Sequence, residues 1–389
     1  MEYLFDIAAV LVKLTQMNQP AFNGWNTPSL KKTWIEGERK GRGLRILPKG
    51  LGYFVHVTSR TRGQEFLLGD QEKRSFLLRM RQWSEFSGIG VLTHCLMSNH
   101  FHMLLWVPEI SSVSHEEIVS RLRGVWPEEK VEAWLETYAG VSAEKQKAMD
   151  QVLIDRMGNL PAFMRVLKQS FSNWYNHRND CRGTFWEGRY RSVVVEHNPL
   201  ALMSVAAYID LNPVRAAMVS DPMDYIWSGY GSACGGNQAS QKGLEFLQKA
   251  CRDISPSAYL FYKKSHQTDT GPSKDSSDWR SVVKSYRIWL YSKGEETTQT
   301  AGPLSKKPLR KGIDPAKVYL EYLRNGNVPE ARFLLQRWRC FSRGVGIGSP
   351  AFLEGLFRQY RTCFGPKRLK AGNACRISVP GLETLRKVD

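Results

Sequence analysis

Two histidines spaced two positions apart could form half of a metal site. His100 and His102 lie in an apolar run that follows the turn-forming pair Ser98-Asn99, within residues 91–107 (VLTHCLMSNHFHMLLWV). The apolar runs on either side of the turn predict a β-hairpin or a tight strand pair. Side chains alternate faces along a strand, so both imidazoles point the same way. They could bind a divalent cation together, or they could be two polar residues on the exposed face of an edge strand.

A second candidate segment interleaves arginines with aromatic residues. Residues 183–191 (GTFWEGRYR) contain Trp186, Arg189, Tyr190 and Arg191. Guanidinium groups bind phosphates and aromatic rings stack on bases, so the segment predicts contact with single-stranded nucleic acid. The alternative is a loop whose aromatics fill the core and whose arginines form structural pairs, and the spacing leaves both open.

A third candidate is a tyrosine in an apolar helix. Residues 200–211 (LALMSVAAYIDL) are apolar nearly all round, which predicts a buried helix. Asn198 followed by Pro199 predicts its start. We expect it to end at Asn212, because the following Pro213 disfavours a helical conformation there. Tyr208 and Asn212 are four apart and share a face, and Arg215 begins the next turn.

The helix alone makes Tyr208 more typical of a core residue than of a nucleophile. Tyr175 and Tyr190 also lie near basic residues, and the spacing alone does not rank the three tyrosines.

The elements around these candidates alternate as β-α-β-β-α-β. This order predicts an α+β fold built on a ferredoxin-like antiparallel sheet. A charged stretch at about 111–159, with a capping-box signature at its start, predicts a helical insertion. The other elements are a strand at 52–60, a helix that Asp70 caps and Gly88 stops, the 91–107 strand pair, a helix at about 160–178 and a strand at 192–196.

At 389 residues the chain fits more than one domain. We expect an N-terminal arm at 1–45, a catalytic domain at 46–235, helical segments and linker at 236–315, and a basic, mainly helical C-terminal module at 316–389. Ser349-Pro350 could cap one helix of that module, for which DNA binding is predicted.

The charge points to a polyanionic partner. With 55 Lys and Arg against 37 Asp and Glu, the formal net charge is +18, which favours nucleic acid over a membrane surface. Residues 301–389 hold 18 basic and 6 acidic residues, or +12. The 7 scattered cysteines form no C-x-x-C pair, which indicates reduced thiols and a cytoplasmic, nucleoid-associated protein. No apolar run is long enough to predict a membrane span.

Three ordered motifs carry a resemblance to a known family. NHFHMLL, GTFWEGRYRS and YIDLNPVRA resemble the REP-associated tyrosine transposases, within the single-tyrosine HUH endonuclease superfamily. The opening GYFVHVTSR and the LMSNHFH run look like the same family, and the similarity covers about residues 46–235. The helical insertion departs from the smallest members of the family. The resemblance therefore does not predict which DNA ends this chain recognises.

The resemblance implies roles for particular residues. His100 and His102 match the metal-binding histidines, Tyr208 matches the nucleophile, and Asn212 matches the polar residue that completes the metal site. The implied activity is cleavage and rejoining of single-stranded or hairpin DNA from palindromic repeats, through a 5′-phosphotyrosine, by a monomer or homodimer. The predicted DNA contacts are Trp186, Arg189, Tyr190, Arg191 and Arg215.

The chemistry agrees with that set of residues. Two imidazoles and an amide oxygen suit Mg²⁺ or Mn²⁺, since Mg²⁺ prefers oxygen ligands and Mn²⁺ accepts imidazole more readily. Tyrosine can form a covalent phosphodiester and later leave. The chemistry requires that Tyr208 and Asn212 lie beside the two imidazoles.

Two other functions remain open. A non-catalytic protein that binds structured DNA would form no covalent adduct. A small-molecule metallohydrolase would need more His and Asp at strand ends than the 8 scattered histidines provide, and it would leave the positive charge unexplained.

Overall fold

The computed structural model describes residues 46–48, 52–252, 282–283, 286–287, 290, 341, 344–364, 368, 371 and 382–386. The predicted N-terminal arm, the predicted linker segments and all of residues 316–340 lie outside this part of the chain. The described residues divide into two compact units. One contains the sheet and the candidate histidines, and the other is helical.

The helical unit comprises described residues 69–89 and 107–187. Its helices are α1 (Asp70–Ser87), α2 (His115–Arg123), α3 (Glu128–Ala139), α4 (Ala143–Ile154) and α5 (Leu160–Arg178). The predicted insertion therefore folds as three helices, α2 to α4. Ser114 caps α2 by accepting a hydrogen bond from the Glu117 amide. Gly88 ends α1 in the left-handed region, at φ 69°. The capping residue at the start of α1 is Gly69 and not the expected Asp70, which is the first residue of the helix.

The sheet unit is built on six strands in the order β2-β3-β1-β4-β5-β6. The strands are β1 (Tyr53–Arg60), β2 (Gly90–Leu96), β3 (His100–Val107), β4 (Arg191–Val195), β5 (Gly344–Gly348) and β6 (Glu383–Arg386). The first four have the β2-β3-β1-β4 order of a ferredoxin-like sheet, and α1 and α5 follow β1 and β3 in the sequence. The predicted α+β class is confirmed.

The register shows which side chains share a face with the histidines. β2 and β3 form the predicted antiparallel hairpin. β4 is antiparallel to β1, with His56 opposite Val193 and Thr58 opposite Arg191. Directly opposed residues share a face, and so do residues two apart on one strand. Arg60 and Arg191 therefore lie on the face of the sheet that carries His56.

The C-terminal region extends this sheet, which the sequence analysis did not predict. β5 runs parallel to β4, and β6 is antiparallel to β5. The prediction of a mainly helical C-terminal module is therefore wrong for the residues of β5 and β6. The strand sequence GVGIG has too little side-chain alternation to predict a strand. A Cβ at position 346 would lie 2.7 Å from Leu356 Cδ2. Glycine at this position therefore lets the helix that contains Leu356 pack closely against β5.

The other α-helices whose bounds the structure describes belong to the sheet unit. They are α6 (Pro199–Asp210), α7 (Asn212–Arg215), α8 (Gly229–Cys234), α9 (Gln238–Arg252) and α10 (Pro350–Gln359). Asn198 and Ser349 cap α6 and α10, each with proline in the first turn, as predicted. Within the described helices, none is long and apolar enough to cross a membrane.

Candidate active site

β3 places the two motif histidines on one face of an interior strand. The strand lies between β2 and β1, so the alternative of an exposed edge strand is wrong. The rings of His100 and His102 meet edge-on, with centroids 5.1 Å apart. His102 is buried and His100 is partly exposed. One imidazole is therefore held in the interior while its neighbour reaches solvent.

A third histidine, absent from the predicted site, joins this pair. His56 is fully buried on β1. Its Nε2 lies 2.9 Å from His102 Nδ1, and its Nδ1 lies 2.6 Å from the carbonyl oxygen of Phe341. The alternate spacing of His56, Thr58 and Arg60 was the only sequence signal for it. Phe341, 285 positions away from His56, offered none.

The environment keeps the two buried imidazoles neutral. Burial lowers the pKa of His56 to about 4, against the opposing effect of the Phe341 carbonyl. The pKa of His102 falls well below its usual range because of burial first, and then because of nearby positive charge on groups that include Arg60 and Arg215. Neutral imidazoles retain a nitrogen lone pair, which metal binding needs.

Helix α6 brings Tyr208 against the histidines. The Tyr208 ring lies edge-on to His102 and His56, with centroid distances of 5.7 Å and 5.9 Å. On another side it stacks on Phe341, at 4.8 Å and an interplanar angle of 27°. The side chain is only 8% exposed, so these contacts fix the position of the ring.

Asn212 and Arg215 lie at the C-terminal end of α6. The helix ends at Asp210, and Asn212 starts the short α7, so the expected end at Asn212 is corrected by two residues. Asn212 Nδ2 donates to the carbonyl oxygens of Tyr208 and Ile209, at 2.8 Å and 3.3 Å. Since carbonyls only accept, the amide nitrogen must face the helix, and the amide oxygen points away from those carbonyls.

Arg215 contacts Tyr208 in two ways. Its Nη1 donates to the Tyr208 carbonyl oxygen at 2.8 Å. Its guanidinium carbon lies 4.8 Å from the centroid of the Tyr208 ring, which is a cation–π distance. A fixed positive charge therefore lies over the phenol ring.

A buried carboxylate anchors the helix that carries Tyr208. Asp210 accepts hydrogen bonds from Thr93 Oγ1 on β2, the Tyr230 amide and Tyr286 Oη. It is fully buried, and burial raises its pKa to about 7, although the three donors oppose the shift. These hydrogen bonds join the end of α6 to β2, α8 and the later chain.

Replacing Asp210 by alanine should destabilise the protein. The change leaves three buried donors without their acceptor, which costs on the order of 3 kcal/mol or more. Urea unfolding followed by circular dichroism measures the loss. Asp224→Ala, at an exposed carboxylate, is the control and should stay within about 0.5 kcal/mol of the wild type. Equal midpoints for the two variants would contradict an anchoring role.

The predicted base-stacking aromatics lie in the core. Trp186, in the helical unit, is 7% exposed and donates from Nε1 to the Lys168 carbonyl oxygen. It packs against Phe76, Phe171 and Phe185. Tyr190, in the sheet unit, is 6% exposed. Both rings are buried, as the core alternative predicts, and contact of these two residues with DNA bases stays a prediction.

The arginines of the same segment are placed differently. Arg189 and Arg191 are both exposed. Arg191 begins β4 on the sheet face that carries His56, and Arg60 shares that face at the end of β1. Arg60 was absent from the predicted contacts. A phosphate-binding role for Arg189 and Arg191 stays a prediction.

The donor set near Tyr208 fits a hard divalent cation. The described residues contain no cluster of three or more His, Cys, Asp and Glu side chains that could hold a metal. His100 and His102 each have Nδ1 in a hydrogen bond, to Asn99 Oδ1 and to His56, so Nε2 is the ring nitrogen of each that could bind a metal. These two nitrogens and the Asn212 amide oxygen could hold Mg²⁺ or Mn²⁺, with further ligands from water or substrate.

Comparisons with known proteins gave one distant likeness. No protein-family model matches the chain, and no curated protein matches it. The structure is similar to a solved REP-associated tyrosine transposase bound to a REP hairpin, at 13% identity and a TM-score of 0.30. The likeness covers 49% of this chain and 83% of that chain.

Proposed function

We propose that this protein is a metal-dependent tyrosine transposase that cleaves and rejoins single-stranded, hairpin-forming DNA. The observation that carries the proposal is the position of Tyr208, edge-on to His102 and under the guanidinium of Arg215. The three sequence motifs that resemble this family supply these residues. The +18 net charge supports a polyanionic substrate.

In the proposed reaction Tyr208 is the nucleophile. Its Oη attacks the phosphorus of a DNA phosphodiester, and the bond from phosphorus to the 3′-oxygen breaks. The phenol loses its proton and the departing 3′-oxygen gains one, so the protein retains a 5′-phosphotyrosine. Attack by a free 3′-hydroxyl reverses the step on a new strand, without an energy-rich cofactor.

Fixed positive charge favours this step. A phosphodiester is anionic and repels an incoming phenolate oxygen. Arg215 lies over the Tyr208 ring, where its charge stabilises the phenolate as it forms. Arg60 and Arg191 share the sheet face that carries His56, and we assign them, with Arg189, to the DNA phosphates.

His100, His102 and Asn212 are the residues that we assign to the metal. A divalent cation bound there would neutralise charge on a non-bridging phosphate oxygen and align the phosphate for in-line attack. The rings that pack around Tyr208 hold the phenol in one orientation, which lowers the entropic cost of reaching that geometry.

The proposal is tested by incubating the full chain with hairpin oligonucleotides that carry single-stranded flanks. We expect a covalent protein–DNA adduct with Mg²⁺ or Mn²⁺, and none with EDTA. Duplex DNA of the same sequence is the control and should give no adduct. Tight hairpin binding without an adduct under any of these conditions would overturn the enzyme assignment in favour of a non-catalytic DNA-binding protein.

A further inference from the structure

His56 lies where it can control the state of one proposed metal ligand. The Phe341 carbonyl oxygen has no hydrogen to give, so at 2.6 Å His56 Nδ1 must be the donor. His56 is fully buried, and its two ring nitrogens face a carbonyl oxygen and another imidazole, neither of which supplies the negative charge that a second ring proton would need. His56 Nε2 therefore carries a lone pair and accepts. His102 Nδ1, 2.9 Å from it, must carry the proton of that hydrogen bond.

Asn99 accepts a hydrogen bond from the other proposed metal ligand, His100, in the same way. Its Nδ2 donates to the Gln64 carbonyl oxygen at 2.9 Å, which fixes the orientation of the amide. Asn99 Oδ1 therefore faces His100 Nδ1, at 2.7 Å. An amide oxygen only accepts, so His100 Nδ1 is the donor.

Both chains of hydrogen bonds have one result. We propose that His56 and Asn99 are positioning residues that hold the proton of His102 and of His100 on Nδ1. The lone pair of each ring is then on Nε2, the nitrogen that could bind a divalent cation. The proposal rests on the proposed function only for the role of that cation in DNA cleavage.

The two acceptor residues, His56 and Asn99, are held in place by different parts of the chain. His56 is held by Phe341, whose ring also stacks on Tyr208. One residue of the C-terminal region thus supports both the ligand histidine and the proposed nucleophile. Asn99 belongs to the turn that precedes β3, and Gln64, in the short 3-10 helix Arg62–Gln64, orients it. Outer residues of this kind typically change metal affinity by 10- to 100-fold.

The first test reads the tautomers directly. Long-range ¹H–¹⁵N NMR of the ¹⁵N-labelled full chain, without metal or DNA, shows which ring nitrogen carries the proton. The signals are assigned by comparison with single-histidine variants. We expect Nδ1–H for His56, His100 and His102. A proton on Nε2 of His100 or of His102 would overturn the proposal.

The second test compares variants that keep or remove the acceptor at position 56. His56→Gln keeps a side-chain oxygen near His102, whereas His56→Phe keeps a ring without an acceptor. Titration with Mn²⁺, read by electron paramagnetic resonance, should show a 10- to 100-fold loss of affinity for His56→Phe and a clearly smaller loss for His56→Gln. Equal losses would indicate a packing role alone, and no loss in either would also contradict the proposal.

A matched pair at position 99 covers the case in which the buried variants do not fold. Asn99→Asp keeps the oxygen that faces His100, and Asn99→Ala removes it. We expect Mn²⁺ affinity to fall more for Asn99→Ala than for Asn99→Asp. The NMR result depends on neither metal nor DNA, so a protein that forms no adduct but shows Nδ1–H rings fails only the proposed function.

Discussion

Tyr208→Phe is expected to abolish covalent attachment to DNA while hairpin binding stays within about threefold of the wild type. The change removes one oxygen, and the proposed reaction has no other route to a phosphotyrosine. The remaining ring keeps the shape that packs on Phe341 and meets the two histidines, so the fold should be retained. Denaturing gels with labelled oligonucleotide measure the adduct, and fluorescence anisotropy measures binding.

Tyr175→Phe and Tyr190→Phe are the matched controls, because both tyrosines lie near basic residues in the sequence. Each should keep full adduct formation. If the Tyr208 variant retained the adduct and one of these controls lost it, the nucleophile would have been assigned to the wrong tyrosine.

The second large effect is expected at the histidine that reaches solvent. His100→Ala should reduce adduct formation by roughly 100- to 1,000-fold, since losing a ligand removes several kcal/mol of charge stabilisation. His100 is partly exposed, so this change opens less of the core than the same change at His102. Single-turnover rates at several Mn²⁺ concentrations measure the loss.

His177→Ala, at an exposed histidine of α5, is the control for this experiment and should match the wild type. A His100 variant that regains the full rate at high Mn²⁺ would indicate weakened binding of a working metal. A rate unchanged at all concentrations would remove His100 from the site.

The local elements could be predicted from the sequence because their signals are local. The turn at Ser98-Asn99 fixes the hairpin, and Asn198-Pro199 starts the helix that bears Tyr208. Strand alternation places His100 and His102 on one face, which the structure confirms. The ends of helices are predicted less accurately from the sequence. The expected end at Asn212 followed from Pro213, but the chain leaves the helix two residues earlier.

What could not be predicted depends on contacts between distant parts of the chain. His56 has the sequence context of any strand histidine, and only the sheet order sets it against His102. Phe341 reaches the same place from the C-terminal region. The sequence around Trp186 suits both a buried core and a nucleic-acid surface, so the burial of its ring among other aromatics could not be predicted from the sequence.

The most direct measurement of the central claim is the chemical identity of the attached residue. Wild-type protein is trapped on a hairpin oligonucleotide with Mn²⁺, digested with nuclease and protease, and analysed by mass spectrometry. The proposed mechanism requires a nucleotide remnant, joined through its 5′-phosphate, on the peptide that contains Tyr208. A remnant on any other residue, or joined through a 3′-phosphate, would contradict it.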